Sequence, residues 1–315
     1  MKKITKFLLS VALVILLFIP VSQVKADSQQ DNVGGWYPVN NQIYSEYKIK
    51  GKWYRFDSRG DMITGWHLIE FHNGKGGIIK NWNYYDPVNG DQKLGWQNIN
   101  GKWYYLTRRD GALMGTQQID GKWYYFDPVN CDMQTGWVAV QDNDSNVPDW
   151  YYYDPVNGDQ KLGWQNIDGK WYYFAYNALR GPRTIDGKSY YFDLENCDMR
   201  TGWVAVQRYD SNVTDWYYYD PENGVKKLGW QNIDGKWYYL GGSGAYSGQI
   251  YTIDRKRYYF DSDSCELKTG WFEFEGSKYY ADPNDGGAVA SNKTLVIDGI
   301  SYTFNYDGSV INNEP

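Results

Sequence analysis

The stretch Trp96-Gln97-Asn98-Ile99-Asn100-Gly101-Lys102-Trp103-Tyr104-Tyr105 decides the fold. Residues with high β propensity lie on both sides of Asn100-Gly101. A two-residue hairpin turn needs positive φ at both positions, which Asn and Gly tolerate best. The stretch therefore predicts a two-stranded β-hairpin. The pattern recurs around Asp168-Gly169, and the Asp-Pro-Val-Asn-Gly segments 86–90 and 154–158 predict turns that link one hairpin to the next.

A longer period organises these hairpins. Trp96, Trp164 and Trp230 are 68 and 66 residues apart, and each long unit holds three hairpin types in a fixed order. The first type begins Thr-Gly-Trp and carries an inserted loop, and the second begins Leu-Gly-Trp-Gln-Asn-Ile. In the third type the first Trp is replaced, in turn, by Thr116, Pro182 and Ile250. Because a lone hairpin is barely stable in water, we expect the hairpins to stack on one another.

The ends of the chain differ from this repeat region. Residues 1–26 are predicted to be a secretory signal peptide, with lysines first, an apolar run and a cleavage site at Val24-Lys25-Ala26. That run is shorter than the roughly 20 residues of a membrane span, so we expect a secreted protein without a span after cleavage. We divide the remainder into an N-terminal segment (27–46), repeats with three long units and a partial one (47–268), and a divergent C-terminal end (269–315).

Composition excludes some classes of partner. The formal net charge is −6 and becomes more negative when the lysines of the signal peptide are removed. Such a chain is not expected to bind nucleic acid or an anionic membrane surface. Aromatic residues make up 19% of the chain, so much of the apolar burial must come from Trp and Tyr, which combine an apolar body with a polar edge.

The repeated residues carry a family resemblance. Gly95-Trp96 followed by Gly101-Lys102-Trp103-Tyr104-Tyr105, and the segment from Cys131 to Trp137, resemble the cell-wall-binding repeats of choline-binding proteins from Gram-positive bacteria. They are also similar to the glucan-binding repeats of glucansucrases and to the repeats of clostridial toxin tails. The resemblance implies an all-β, left-handed β-solenoid of stacked two-stranded hairpins, with about three hairpins per turn. One long unit would then be one turn.

The resemblance also implies a ligand and its place. Choline would bind between consecutive hairpins in a cage of aromatic rings, and the protein would attach non-covalently to the phosphocholine of teichoic or lipoteichoic acid. Residues i and i+2 of a strand share a face, so Trp103 and Tyr105 point the same way. We therefore predict cages built from the two Trp of one hairpin and the second Tyr of the next. Ring faces attract a quaternary ammonium by about 0.5–2 kcal/mol per contact.

Six such cages are predicted. They are Trp66, Trp82, Tyr105; Trp96, Trp103, Tyr125; Trp137, Trp150, Tyr173; Trp164, Trp171, Tyr191; Trp203, Trp216, Tyr239; and Trp230, Trp237, Tyr259. Because the third hairpin type lacks its first Trp, its junction with the following hairpin is predicted to be purely structural. Each long unit would then offer two sites.

One departure from the family leaves the ligand open. Choline repeats often carry a Met after the turn Gly as an extra wall, and here Met62, Met133 and Met199 occur only in the third type. The first type has Gln92, Gln160 and Lys226 at that position. This departure puts first-type sites in doubt. An extracellular glucan remains an alternative ligand, because sugars stack on the same rings and Gln and Asp would supply polar partners.

No cofactor, metal site or catalytic residue is predicted. Segment 142–146 begins like a calcium loop but lacks the turn Gly and the closing Glu. His67 and His72 have no triad partners at a recognisable spacing. The alternative from another class is a cryptic cell-wall hydrolase or the accessory subunit of one.

The remaining repeated features are the cysteines and the inserted loops. Cys131, Cys197 and Cys265 are predicted to be buried and unpaired, because positions one turn apart are about 10 Å from each other and a disulfide needs Cα atoms within about 7 Å. The inserted loops of the first type, 71–81, 142–149 and 209–215, are the least repetitive segments. Variable loops on a regular scaffold are common binding sites. We expect them to carry partner recognition, as in an adhesin or a regulator that binds a host protein or a cell-wall hydrolase.

Overall fold

The computed structural model describes residues 35–39, 42–72, 78–141, 147–208 and 213–314. Within these residues the elements are antiparallel β-strands in sheets of two or three strands, together with one 3-10 helical turn. No helix that could cross a membrane occurs in this part of the chain. The predicted signal peptide lies outside the described residues. The all-β prediction is confirmed.

The chain forms two compact units, one of residues up to 136 with 153–160 and the other of 137–152 with residues from 161 onward. The strands of the first unit are β1 Gly35–Val39, β2 Gln42–Ile49, β3 Lys52–Phe56, β4 Gly65–His72, β5 Ile78–Tyr85, β6 Gly95–Ile99, β7 Lys102–Thr107, β8 Gly111–Ala112, β9 Gly115–Ile119 and β10 Lys122–Phe126. Two strands have residues in both units, β11 Gly136–Val140 and β12 Asp149–Tyr153.

The second unit continues the series. Its strands are β13 Gly163–Ile167, β14 Lys170–Phe174, β15 Gly181–Ile185, β16 Lys188–Phe192, β17 Gly202–Gln207, β18 Thr214–Tyr219, β19 Gly229–Ile233, β20 Lys236–Gly241, β21 Gly244–Ala245, β22 Ile250–Ile253, β23 Lys256–Tyr259, β24 Gly270–Phe274, β25 Ser277–Asp282, β26 Ala288–Val289, β27 Lys293–Ile297, β28 Ile300–Phe304 and β29 Val310–Glu314. The 3-10 turn is Pro283–Asp285.

The hairpin turns have the backbone that their sequence predicts. Asn100 and Gly101 have φ of 52° and 82°, and Asp168 and Gly169 have 51° and 80°, as the primed hairpin turns require. One turn departs from the pattern, because Arg255 has a φ of 67° where the other repeats have Gly. A non-glycine residue in this region is strained.

The Asp-Pro-Val-Asn-Gly segments are turns, as predicted. In the first of them the amide of Gly90 donates to the carbonyl of Asp86 at 2.8 Å. The Asp86 carboxylate accepts the amides of Val88 and Asn89. A hydrogen bond from Lys93 and these amides lower the pKa of Asp86 to about 2, so the turn is held by an ionised carboxylate.

Each connecting segment joins its own hairpin to the preceding one. The amide of Met133 donates to the Trp103 carbonyl of the preceding hairpin at 2.7 Å, and the next amide, of Gln134, donates to Tyr125 of its own hairpin at 2.8 Å. Lys102 in the preceding turn forms an ion pair with Asp132 at 2.9 Å. The same two-amide pattern, one bond to the preceding hairpin and one to its own, recurs in both units, for example at 92–93 in the first and at 199–200 in the second. Successive hairpins within a unit therefore stack through the backbone.

The core is divided among these junctions. Ile99, Tyr104 and Leu106 lie on one face of the β6–β7 hairpin, and all three are buried. They pack with Cys131 and against the Trp and Tyr rings of the preceding β4–β5 hairpin. The same kind of cluster forms under β13–β14 and under β19–β20.

The three cysteines are buried and free, which confirms their prediction. Their φ values are 63°, 63° and 59°, so they occupy a left-handed position that is Gly in the first hairpin type. At Gly158 a Cβ atom would lie 2.3 Å from the sulfur of Met133. Gly is therefore favoured there by its φ of 76°, and a Cβ would also displace the end of the Met133 side chain, whereas the Cys side chains fill space in the core.

Candidate functional site: aromatic cages between hairpins

One face of each second-type hairpin carries both of its Trp residues. In β6–β7, Trp96 is opposite Tyr105 and Asn98 is opposite Trp103, so these four side chains share a face. The Trp96 and Trp103 rings are 6.4 Å apart at 80°. Two nearly perpendicular indole rings make a corner with two ring faces.

The next hairpin closes this corner. Tyr124 lies with its ring 4.8 Å from that of Trp96, and Met133 packs in the same cluster as Tyr124 and Trp96. Trp103 is 45% exposed, so the corner remains open to solvent. We call this open corner a cage: its aromatic rings are Trp96, Trp103 and Tyr124, and Met133 lies in the adjoining cluster.

The other second-type junctions repeat this geometry. Trp164 lies 6.4 Å from Trp171 and 4.9 Å from Tyr190, and Met199 packs against the same cluster. In the last long unit Trp230 lies 6.4 Å from Trp237 and 4.8 Å from Tyr258. Leu267 takes the place of Met there, with its amide bonded to the Trp237 carbonyl at 2.8 Å.

The first-type junctions have a related geometry. Trp137 lies 6.2 Å from Trp150 and 4.9 Å from Tyr172, and the connecting segment supplies Ala178, whose amide bonds the Trp150 carbonyl. Trp66 contacts Tyr104 at 4.8 Å, and Trp203 contacts Tyr238 at 4.9 Å. Of the predicted partners, Trp82 packs in the cluster with Trp66, and Trp216 is 39% exposed.

The Tyr that contacts the first Trp of each hairpin is not the one that the sequence predicts. The sequence predicts the second Tyr of the following hairpin, but the contacting ring is the first Tyr in all six junctions. The predicted Tyr105, Tyr173 and Tyr239 contact Trp of their own hairpins, at 5.2, 5.2 and 5.3 Å. The predicted Tyr125, Tyr191 and Tyr259 contact Tyr153, Tyr219 and Phe272. Strand alternation states which residues share a face, but not which face is turned towards the preceding hairpin.

The structure also changes the meaning of the Met pattern. Met133 belongs to the third hairpin type in sequence, but its connecting segment reaches back to the second-type cage of Trp96 and Trp103. Gln92, Gln160 and Lys226 reach back in the same way to third-type hairpins, at Trp53, Trp123 and Ser189. Their identity therefore does not count against the first-type junctions, which have Ala instead.

The cage walls are neutral over the physiological range. Burial raises the pKa of Tyr104, Tyr172 and Tyr238 above that of an exposed phenol, so these rings carry no charge at pH 7. No group of three or more His, Cys, Asp or Glu side chains that could hold a metal ion occurs in the described part of the chain. The calcium-like segment 142–146 lies outside the described residues, as do the central parts of the three inserted loops, 73–77, 142–146 and 209–212.

Two repeat models match the hairpins whose geometry is given above. The choline-binding repeat matches residues 113–162, 179–228 and 227–267. The putative cell wall binding repeat matches residues 47–62, 95–113 and 163–177. The chain belongs to the choline-binding repeat family. The matches include the Trp and Tyr walls of the second-type cages.

Relatives of this choline-binding repeat protein include both solved structures and enzymes. It resembles choline binding protein F of Streptococcus pneumoniae, crystallised with a peptidoglycan analogue, with 28% identity, a TM-score of 0.50, and coverage of 90% of this chain and 100% of that one. It is 27% identical over 225 residues to glucosyltransferase-S of Streptococcus mutans, and 27% identical over 213 residues to that of Streptococcus downei. The matches cover 64% and 66% of this chain but only 14% and 13% of those enzymes. The likeness to the enzymes is a likeness of repeat regions.

Proposed function

We propose that this protein is a non-catalytic, secreted surface protein that binds phosphocholine of teichoic or lipoteichoic acid through its aromatic cages. The observation that carries the proposal is the repeated corner of two perpendicular Trp rings closed by Tyr and by Met or Leu. Second-type junctions, whose outer Trp is 45–48% exposed, are the primary sites. First-type junctions, where Ala takes the place of Met or Leu, are secondary sites.

The chemistry of the cage favours a quaternary ammonium. Such a cation has no hydrogen bond to lose on leaving water, and ring faces attract it by about 0.5–2 kcal/mol per contact. Met supplies a polarisable apolar wall. The acidic chain, with a net charge of −6, adds a weak general attraction for cations. Several identical cages along one chain would bind a polymer far more tightly than one cage binds free choline.

The finer architecture is part of the same proposal. A left-handed β-solenoid with about three hairpins per turn would arrange each hairpin type in its own column. The support for it is the family resemblance, the repeat of 66–68 residues and the backbone stacking of each hairpin on its predecessor within a unit. A crystal structure of the secreted chain would test both the handedness and the number of hairpins per turn.

Attachment to the cell wall is tested by competition. We expect the protein to bind choline-bearing cell walls and a tertiary-amine resin, and to be released by free choline but not by dextran. A variant with Leu at Trp103, Trp171 and Trp237 should be released at much lower choline concentration. Release by dextran but not by choline would overturn the proposal.

The second candidate is an extracellular glucan-binding protein. The observation that favours it is the repeat-region likeness to glucosyltransferase-S. Retention on immobilised dextran that free choline does not reverse would establish it.

The biological role beyond attachment is proposed to lie in the inserted loops, as recognition of a host protein by an adhesin or of a cell-wall hydrolase by a regulator. Deletion of loop 209–215 should abolish partner binding and leave choline elution unchanged. A zymogram on cell walls tests the alternative of a cryptic hydrolase or its accessory subunit, and a lysis band from the purified chain would establish it.

A further inference from the structure

Two third-type junctions contain open space where the other junctions have a cage. In β15–β16, Pro182 is opposite Tyr191 and Thr184 is opposite Ser189, so Pro182 and Ser189 stand at the two Trp positions. A cavity of about 300 Å³ opens there, lined also by Arg183, Tyr217 and Lys226 among others. In β22–β23, Ile250 and Arg257 stand at the same two positions, beside a cavity of about 370 Å³.

Both cavities are basic in an acidic protein. Arg183 and Lys226 line the first, which has no Asp or Glu among its described lining residues. Arg255, Lys256, Arg257 and Lys293 line the second, with Asp285 as the acidic residue. The two cavities lie at the same place in the repeat and are both lined mainly by basic residues, although the residues differ. This points to one class of ligand, an anion.

Lys226 carries a charge that the described residues leave unbalanced. It stands where Met133 stands in a cage, with its amide bonded to the Ser189 carbonyl at 2.8 Å. Its Nζ lies 4.2 Å from the centre of the Tyr217 ring and donates to the Gly242 carbonyl at 2.8 Å. No carboxylate of the described residues lies within ion-pair distance of it, and burial lowers the pKa of Lys226. An ammonium group that is partly removed from water and has no counter-ion would be stabilised by a bound anion.

The second cavity holds two guanidinium groups around a strained turn. Arg255 keeps a φ of 67° at a position that is Gly in the other hairpin turns of this kind. Arg257 donates to the Tyr306 carbonyl at 3.2 Å. Lys256 pairs with Asp285 and Lys293 with Asp282. Neither arginine has an ion pair among the described residues, although Asp307 lies near enough to Arg257 for their charges to interact, so Arg255 and Arg257 are the side chains that would meet an anion. Guanidinium groups match the oxygens of a phosphate well.

The third-type junction of the partial unit shows the contrasting case. Arg108 stacks on Trp53 at 4.1 Å, but it is paired with Glu46 at 2.8 Å, and Glu46 also pairs with Arg55 at 3.0 Å. Arg108 therefore has a carboxylate partner in Glu46. Among the described residues, Lys226, Arg255 and Arg257 have no carboxylate within ion-pair distance, and Asp285, which lines the second cavity, is paired with Lys256.

We propose that the two third-type junctions at Lys226 and at Arg255–Arg257 bind phosphate groups of the polymer whose choline groups occupy the cages. This rests on the proposed function, because phosphocholine places a phosphate beside every choline. The third-type junction is then a second kind of site in the repeat, for the anionic part of the same ligand.

The test is a phosphate titration of the full secreted chain, followed by NMR of backbone amides. We expect inorganic phosphate to shift amides around Ser189 and Lys226 and, separately, around Arg257 and Tyr306. Lys226→Met, which restores the cage residue, should weaken the first response at least tenfold and leave the second. The double variant Arg255→Gly, Arg257→Gln should weaken the second response at least tenfold and leave the first. Lys170→Gln removes a turn lysine beside a second-type cage, and it should change neither.

Two results would overturn the phosphate sites. One is a phosphate response that is unchanged in Lys226→Met and in the arginine variant, or that is scattered over surface lysines. The other is occupation of these cavities by a neutral glucan oligosaccharide in preference to phosphate. A choline titration of the same samples separates this proposal from the proposed function. Unchanged choline binding without a localised phosphate response rejects only the phosphate sites, whereas a phosphate response without choline binding rejects the cages.

Discussion

Replacing Trp171 by Leu should weaken ligand binding at one cage without unfolding the protein. Trp171 is 46% exposed. An indole has roughly 250 Å² of surface, so about 130 Å² is buried, worth at most about 3 kcal/mol at about 25 cal/mol/Å². Leu replaces part of that area, so the cost in stability is smaller. The lost ring face is worth about 0.5–2 kcal/mol to a quaternary ammonium, which is about 2- to 30-fold in Kd.

The assay is a choline titration followed by the indole N–H signals of Trp164 and Trp96. In Trp171→Leu we expect the Trp164 signal to need about 2- to 30-fold more choline, with the Trp96 signal unchanged. Trp123→Leu is the matched control, because Trp123 has the same hairpin position but faces a junction with Thr116 in place of the first Trp. An unchanged Trp164 titration in Trp171→Leu, or an equal effect of Trp123→Leu, would show that the Trp171 ring is not a wall of this site.

Three further predictions concern the scaffold. Gly111→Ala should destabilise the protein by about 1–3 kcal/mol in urea unfolding, since its Cβ would meet the backbone carbonyl oxygen of Trp82, which cannot move aside easily. Gly115 has a φ of 66°, against 67° at Gly111, and open space around its Cβ position; Gly115→Ala should cost less, and equal costs would exclude the clash. The pKa of Asp193 is lowered to about 2, mainly by the hydrogen bond from the Asn196 amide, and so lies below its value in the unfolded chain. The ionised Asp193 carboxylate therefore stabilises the fold above about pH 4, and this contribution is lost as the pH falls towards 2. A melting temperature that does not change between about pH 5 and pH 2 would contradict this prediction. All three cysteines should react with a thiol reagent in urea and react slowly in the folded protein, whereas fewer than three thiols in urea would indicate a disulfide.

Much of the local structure could be predicted from the sequence, because the turns depend on local chemistry. Asn100-Gly101 has positive φ at both residues, and the alternation rule correctly placed Trp103 and Tyr105 on one face. The two Trp rings of a second-type hairpin are neighbours because their side chains share a face. These features depend on residues within about ten positions of each other in the chain.

The features that depend on stacking could not be predicted in the same way. Whether Tyr124 or Tyr125 is the third wall depends on which face of its hairpin packs on the preceding hairpin. The alternation of side chains along a strand shows which residues share a face, but it does not show which of the two faces packs there. The placement of Met133 beside Trp103 depends on a connecting segment that bonds to the preceding hairpin rather than its own. One feature of the sequence does indicate the packing face. Ile99, Tyr104 and Leu106 share a face and are its apolar residues, and this is the face that is buried against the preceding hairpin.

A crystal structure of the secreted chain grown with choline is the strongest test of the proposed cages. We expect a trimethylammonium group within contact distance of Trp96, Trp103 and Tyr124, and equivalent groups at the cages of Trp164 and Trp230. Choline bound elsewhere with these cages empty, or a glucan oligosaccharide that occupies them in competition with choline, would contradict it.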